Sequence, residues 1–224
     1  MKTVSIIYED DEMLLVNKPF GVSVQGGEGV AHPLTEILEK QLGYRIYLVH
    51  RLDRDTSGLL LTAKTSQAAA RLTGLISSSQ VYKEYSAICF GIPAEERGVI
   101  REDVRSGGKR KSAVTEYRVL ETGGYPREAL SRKEFSHLSL RLCTGRTHQI
   151  RVHLAEMGCP IVADDKYGDF PANRDIRRLL NVRKLQLAAV RLTLPLYGKT
   201  HTFEVPLPDH MEPLCGVVFN TASD

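Results

Sequence analysis

The sequence predicts an α+β fold, a mixed and mainly antiparallel sheet with flanking helices. Three observations predict it. Short runs of β-branched and aromatic residues recur along the whole chain, several in adjacent pairs as hairpin strands do. Helical rhythm is confined to a few stretches, chiefly 34–42, 66–79 and 147–157. No Rossmann-type βαβ alternation is present. At 224 residues the chain can bury a sizeable core, and a single domain over 1–224 is expected.

Taken in order, 3–8 and 13–17 read as strands joined by the acidic turn Glu9-Asp10-Asp11-Glu12, with 22–25 as a short third strand. The Gly26-Gly27-Glu28-Gly29 loop lacks the spacing of a phosphate loop. Leu34, Ile37, Leu38, Gln41 and Leu42 form one helical face, stopped by Gly43. Strands follow at 44–49 and 59–63, then a helix capped by Ser66. In the strand 81–90, period two puts Lys83, Tyr85, Ala87 and Cys89 on one face. The segment 91–112, with the cationic tip Arg105-Ser106-Gly107-Gly108-Lys109-Arg110-Lys111, reads as the mobile loop. Strands at 114–120 and 135–142 enclose a Gly-rich connection. Thr147 is expected to cap the next helix, 160–168 is a loop, and 175–181 is helical. Strands at 185–194 and 202–205 close the chain around a turn at 195–199.

Composition sets the class. A hydrophobic fraction of 42% and a charged fraction of 25% are those of an ordinary globular protein. No apolar run approaches the ~20 residues of a membrane span, and the first residues carry no signal-peptide core. The four cysteines are scattered without a CxxC pair, which fits a reducing compartment, so the cytoplasm is expected. The net charge of +3 permits a nucleic-acid partner without demanding one. Its distribution says more, because cations cluster at 105–111 and again at Arg174, Arg177, Arg178, Arg183 and Lys184.

Two polar strings stand out. His50-Arg51-Leu52-Asp53-Arg54-Asp55-Thr56-Ser57-Gly58 lies between two apolar strands, where a structural turn would need only a Gly, an Asn or one Asp. Any one of these charges could be a turn cap; eight polar or turn residues in a string of nine mark a site. The second is Thr144-Gly145-Arg146-Thr147-His148-Gln149-Ile150-Arg151-Val152-His153. His148 and His153 are i, i+5, not the i, i+4 of a helical metal pair, so no metal is expected. Arg151 gains nothing from a helix N-terminus and therefore answers a carboxylate elsewhere.

These strings resemble the RluA-type pseudouridine synthases. His50-Arg51-Leu52-Asp53 with Thr56-Ser57-Gly58 is similar to that family's HRLDxxTSG motif, Lys83-Glu84-Tyr85-Ser86-Ala87 to its KxYxA strand, and Thr144 to His153 to its third motif. Pro160-Ile161, Asp164 and Tyr167-Gly168 resemble the loop after it. The likeness runs in order over about 4–208, with departures at Ala163 and Ala188, and without the S4 domain that precedes the catalytic domain in many relatives. It implies the pseudouridine synthase catalytic fold, with a central cleft between two lobes, and isomerisation of uridine in structured RNA, ribosomal or transfer, without a cofactor; a monomer is expected only as the simpler case. It further implies that Asp53 is the catalytic aspartate, attacking C1′ or acting as a base at C2′. Tyr85 would stack on the uracil and take the C5 proton. Arg151 would keep the aspartate ionised in a dry pocket that otherwise raises its pKa. The base must be flipped out of the RNA. His50 and Arg51 would fill the vacated space or hold the displaced strand, Arg146 and His148 would contact the RNA, and Lys109, Arg110, Lys111 and the basic segment Arg174 to Lys184 would bind phosphates.

Two rival readings fare worse. Asp53-Arg54-Asp55-Thr56-Ser57 has a look of the aspartyl-phosphate motif of haloacid-dehalogenase-like phosphatases, but Ser57 stands where Thr or Val belongs. A non-catalytic RNA-binding module would explain the basic segments and leave Asp53 and Tyr85 without a purpose.

Overall fold

The computed structural model describes residues 3–125, 130–132 and 134–219. The chain divides into two compact units, Met1–Lys83 with Ala189–Pro206, and Glu84–Ala188 with Leu207–Asp224. Strands with mainly antiparallel pairing and flanking helices make the α+β class that the alternating runs predict.

In the first unit, β1 (Ser5–Glu9) and β2 (Met13–Lys18) form a hairpin. The acidic turn between them is structural: Asp10 Oδ1 accepts the amides of Glu12 and Met13, both at 2.8 Å. The helix α1 (Leu34–Leu42) buries Leu34 and Leu38, and Gly43 closes it in the left-handed conformation with its N–H on Glu39 O. β3 (Tyr47–Leu48) and β2 both pair antiparallel with β4 (Ser57–Ala63), Met13 opposite Ala63 and Lys18 opposite Gly58. Period two then sends Met13, Leu15, Leu59, Leu61 and Ala63 to one face. There they meet Ala68, Leu72 and Ile76 of α2 (Ser66–Ile76). Thr65, not Ser66, caps α2 by accepting the Ala68 amide at 3.1 Å.

Two expected strands are corrected. Residues 22–25 are not a strand, because the carbonyls of Ser23 and Val24 accept the amides of Leu34 and Thr35 instead of a neighbouring strand. Of 44–49, only Tyr47–Leu48 pairs.

The second unit begins on β5 (Tyr82–Phe90), whose first two residues belong to the first. The segment 91–112, expected as a loop, carries β6 (Arg97–Ile100), β7 (Val104–Ser106) and β8 (Lys109–Lys111). β7 and β8 are a two-residue hairpin turning on Gly107 and Gly108, at φ 60° and 77°. That turn requires left-handed backbone at both positions, which glycine supplies without strain. β9 (Thr115–Gly124) and β10 (Glu134–Leu142) follow, and the order β5-β10-β9-β6 is antiparallel throughout. The connection between β9 and β10 reaches residues 126–129 and 133, which lie outside the described residues.

The helices of this unit are α3 (Gln149–Glu156), α4 (Phe170–Leu180) and α5 (Glu212–Val218), the last without a counterpart in the sequence reading. α4 starts five residues earlier than expected, because Asp169 caps it by accepting the Ala172 amide at 3.0 Å. β11 (Leu187–Leu196) enters the first unit at Ala189 and turns at Tyr197-Gly198 into β12 (Lys199–Glu204). Among the described residues no helix is long and apolar enough to cross a membrane.

Candidate active site

The first polar string forms the turn between β3 and β4, and its backbone is bolted from two sides. The Thr56 amide donates to Asp53 O at 3.2 Å, closing the turn that carries the half-buried Asp53. From the other side comes Lys18. It is fully buried, and its Nζ donates to the carbonyls of Pro19, Val22 and Arg54 at 3.0, 2.8 and 3.0 Å. Arg54 O also accepts the Gly21 amide at 3.0 Å and Arg54 Nε donates to Gly21 O at 3.3 Å, so the Lys18 cation, a backbone bond and a side-chain bond tie the 18–22 and 53–56 segments. Burial pushes the Lys18 ammonium down to about 8, and the charges of Asp55 and Asp53 act against that fall.

Gly58, at φ 111°, explains the last residue of the string. A Cβ there would overlap the carbonyl oxygen and amide nitrogen of Ala189 in β11. Only glycine permits that approach. His50, expected at the RNA, is tied into the fold of the first unit. Its Nε2 accepts the Leu61 amide at 3.0 Å, and burial, with Lys83 nearby, pushes its pKa down to about 4. The ring is neutral near pH 7, offers a phosphate no charge, and serves to hold the turn against β4. Arg51 is exposed.

The second unit supplies the other two strings. Tyr85 is buried in β5, opposite Leu140 of β10. The residues on either side of it are anchored, since Glu84 Oε1 accepts the Ser139 hydroxyl and Ser86 Oγ meets His137 Nε2, both at 2.7 Å. Arg151 lies in the first turn of α3 and is only 4% exposed. The carboxylate it answers within this unit is Asp164, bound fork to fork through Nε at 2.8 Å and Nη2 at 2.6 Å. Asp165 takes Nη2 at 2.9 Å, and the guanidinium carbon lies 5.3 Å from the Tyr167 ring centre. Burial alone would raise the Asp164 carboxyl. Arg151 and the amides of Tyr167 and Lys166 overcome it and hold the group below its ordinary value.

α3 begins differently from expectation. Its cap is His148, in the left-handed region at φ 55°, and not Thr147. Among the described residues no side chain caps it; Gln149, its first residue, instead holds the preceding loop, its Oε1 accepting the Thr144 hydroxyl at 2.7 Å and the Arg146 amide at 3.1 Å. Its Nε2 donates to Val114 O and Thr115 Oγ1. His148 Nδ1 lies 3.1 Å from the Tyr167 hydroxyl, so it joins the Arg151–Asp164 assembly. Arg146 is exposed, with Nε on Ser112 O at 3.1 Å. Both His153 nitrogens are engaged, with Thr115 Oγ1 and Glu102 O, which makes that residue structural. Lys109, Arg110 and Lys111 are exposed on β8.

The structure thus groups Lys18, His50, Asp53, Arg54 and Asp55 in the first unit, and His148, Arg151, Asp164, Asp165 and Tyr167 in the second. Lys18 is a positioning residue that sequence reasoning passed over, and Asp164, noted there only for its place in a family-like loop, is a second. A lysine ending the apolar strand Met-Leu-Leu-Val-Asn, and paired aspartates in the loop after α3, were the available signals.

Comparison with known proteins bears on this arrangement. A family model described as RNA pseudouridylate synthase matches residues 12–156. The chain is 35% identical over 231 residues to the ribosomal large subunit pseudouridine synthase D of Haemophilus influenzae, covering 92% of this chain and 68% of that protein. To the ribosomal large subunit pseudouridine synthase C of Rickettsia felis it is 34% identical over 218 residues, covering 91% and 67%. The solved structure of human RNA pseudouridylate synthase domain containing 4 superposes with a TM-score of 0.76 at 26% identity, over 94% of this chain and 91% of that one.

Proposed function

The chain belongs to the RNA pseudouridylate synthase family and isomerises uridine to pseudouridine in RNA; on that footing we propose that Asp53 is its catalytic aspartate, acting with Tyr85 and Arg151. The observation that carries this reading is that the matched span, residues 12–156, contains all three. In the reaction the N1–C1′ bond breaks, the uracil turns, C5 bonds to C1′, and the proton leaves C5 while N1 gains one. Asp53 attacks C1′ or abstracts the C2′ proton, Tyr85 stacks on the base and takes the C5 proton, and Arg151 supplies the balancing positive charge. The two units work as one catalytic domain.

The names of the relatives favour RNA of the large ribosomal subunit over transfer RNA as substrate, and with it the cytoplasm as compartment. Arg51, Arg146 and the cationic hairpin at Lys109, Arg110 and Lys111 bind the flipped substrate's backbone. The protein works as a monomer without metal or cofactor. The test is pseudouridine mapping of total RNA, by carbodiimide adduct and primer extension, in cells with and without the gene. One or a few stops should vanish without it and return with wild type. Asp53→Asn should restore none while leaving RNA affinity within about twofold. Stops restored by Asp53→Asn would overturn the assignment.

A further inference from the structure

The helix α4 presents two faces of different chemistry. Its inner face is committed. Ala172 and Ile176 are buried, and Asn173 grips the loop after α3, its Oδ1 accepting the Ala163 amide at 2.7 Å and its Nδ2 donating to Asp164 O at 2.9 Å. Gly168 has no room for a side chain against that same asparagine. The helix is therefore registered to the loop whose Asp164 holds Arg151.

The outer face carries Arg174, Arg177 and Arg178, all exposed, with Phe170 51% exposed at its N-terminal end and Arg183 and Lys184 just past its C-terminus. Five cations face one carboxylate in 170–184. That carboxylate, Asp175, is turned to the Ser131 amide at 3.2 Å and to Arg178 at 3.3 Å. Stabilisation of the helix dipole accounts for Arg177 and Arg178 in the last turn. It does not account for Arg174, mid-helix, or for the two cations beyond the cap, because the dipole effect dies within one turn. A row of arginines one helical turn apart, ending on an exposed aromatic ring, fits a polyanion whose bases can stack.

We infer that the outer face of α4 is a docking surface for the sugar–phosphate backbone of RNA flanking the target uridine, apart from the residues assigned to the chemistry. The inference rests on the RNA-modifying reading above. It gives RNA held on α4 a fixed relation to Arg151 through Asn173 and Asp164.

The test is filter binding of a large-subunit ribosomal RNA transcript across KCl concentrations, for wild type, Arg174→Gln/Arg177→Gln, and a control pair, Lys40→Gln/Lys199→Gln, that removes equal charge from exposed positions of the first unit. Each phosphate contact contributes about 0.7 to 0.9 to the slope of log K against log salt. The arginine pair should flatten the slope by about 1.4 to 1.8 and weaken binding about 25- to 60-fold at 0.1 M KCl, converging on wild type near 1 M. The control pair should keep the wild-type slope. An unchanged slope in the arginine pair, with circular dichroism showing it folded, would overturn the inference, as would equal flattening by both pairs. Absence of pseudouridine after incubation with wild type, alongside a flattened slope in the arginine pair alone, would instead sink the substrate reading and leave the docking surface standing.

Discussion

Replacing Lys18 by Met isolates the buried cation beneath the Asp53 turn. Its pKa is held at about 8 against an ordinary 10.5, so the folded state disfavours the charge by about 3 kcal/mol, at 1.36 kcal/mol per unit. Three charge-assisted bonds to Pro19 O, Val22 O and Arg54 O offset that cost. Between pH 8 and 10.5 the unfolded chain holds a proton that the folded chain has released. Stability from this group is therefore fully present above 10.5 and lost as pH falls toward 8. In Lys18→Met this dependence disappears. The stability difference, wild type minus variant, should grow by about 2 to 3 kcal/mol between pH 7 and 10, read from urea unfolding by circular dichroism at matched pH. Taking the difference cancels the other titrating groups. Turnover should fall about 10- to 100-fold, because the 53–56 segment loses the cationic part of its anchor to 18–22 and keeps only the Gly21–Arg54 bonds. A stability difference flat to about 0.5 kcal/mol over that range would refute the reasoning, for it would mean the ammonium is as well solvated folded as unfolded.

Gly58→Ala should unfold the first unit or cost more than about 3 kcal/mol, since the new methyl meets the Ala189 backbone and the φ of 111° is strained for alanine; a melting temperature within a few degrees of wild type would contradict it. Asp164→Asn takes the bidentate carboxylate from the buried Arg151 guanidinium and leaves Asp165 on Nη2. It should destabilise by about 3 to 5 kcal/mol and also remove the part of acid stability lost as pH falls through the depressed Asp164 pKa. Denaturation midpoints at pH 7 and pH 2 check both, since the loss lies below the ordinary 3.8, and an unchanged difference between those two pH values would reject the assignment.

Periodicity determined α1, α2 and β10, because an element with one buried face repeats its apolar residues at its own period. The strands β2, β4 and β5, buried along nearly all their length, were legible as short runs rich in apolar and aromatic residues, and both signals are local. The two polar strings were equally legible, since ionisable groups crowded between apolar runs have few structural uses. The Gly107-Gly108 turn was in plain view as well, although the strands beside it, Val-Arg-Ser and Lys-Arg-Lys, carry too few apolar residues to declare themselves. Only the tertiary structure decided which carboxylate holds Arg151, that His50 is a neutral acceptor for Leu61, and that Lys18 is buried. Each of these depends on partners 11 to 36 residues away in sequence, His50 on Leu61, Arg151 on Asp164 and Lys18 on Arg54. The energy of a buried charge is set by the dipoles and charges that surround it in space, and no window of sequence contains them.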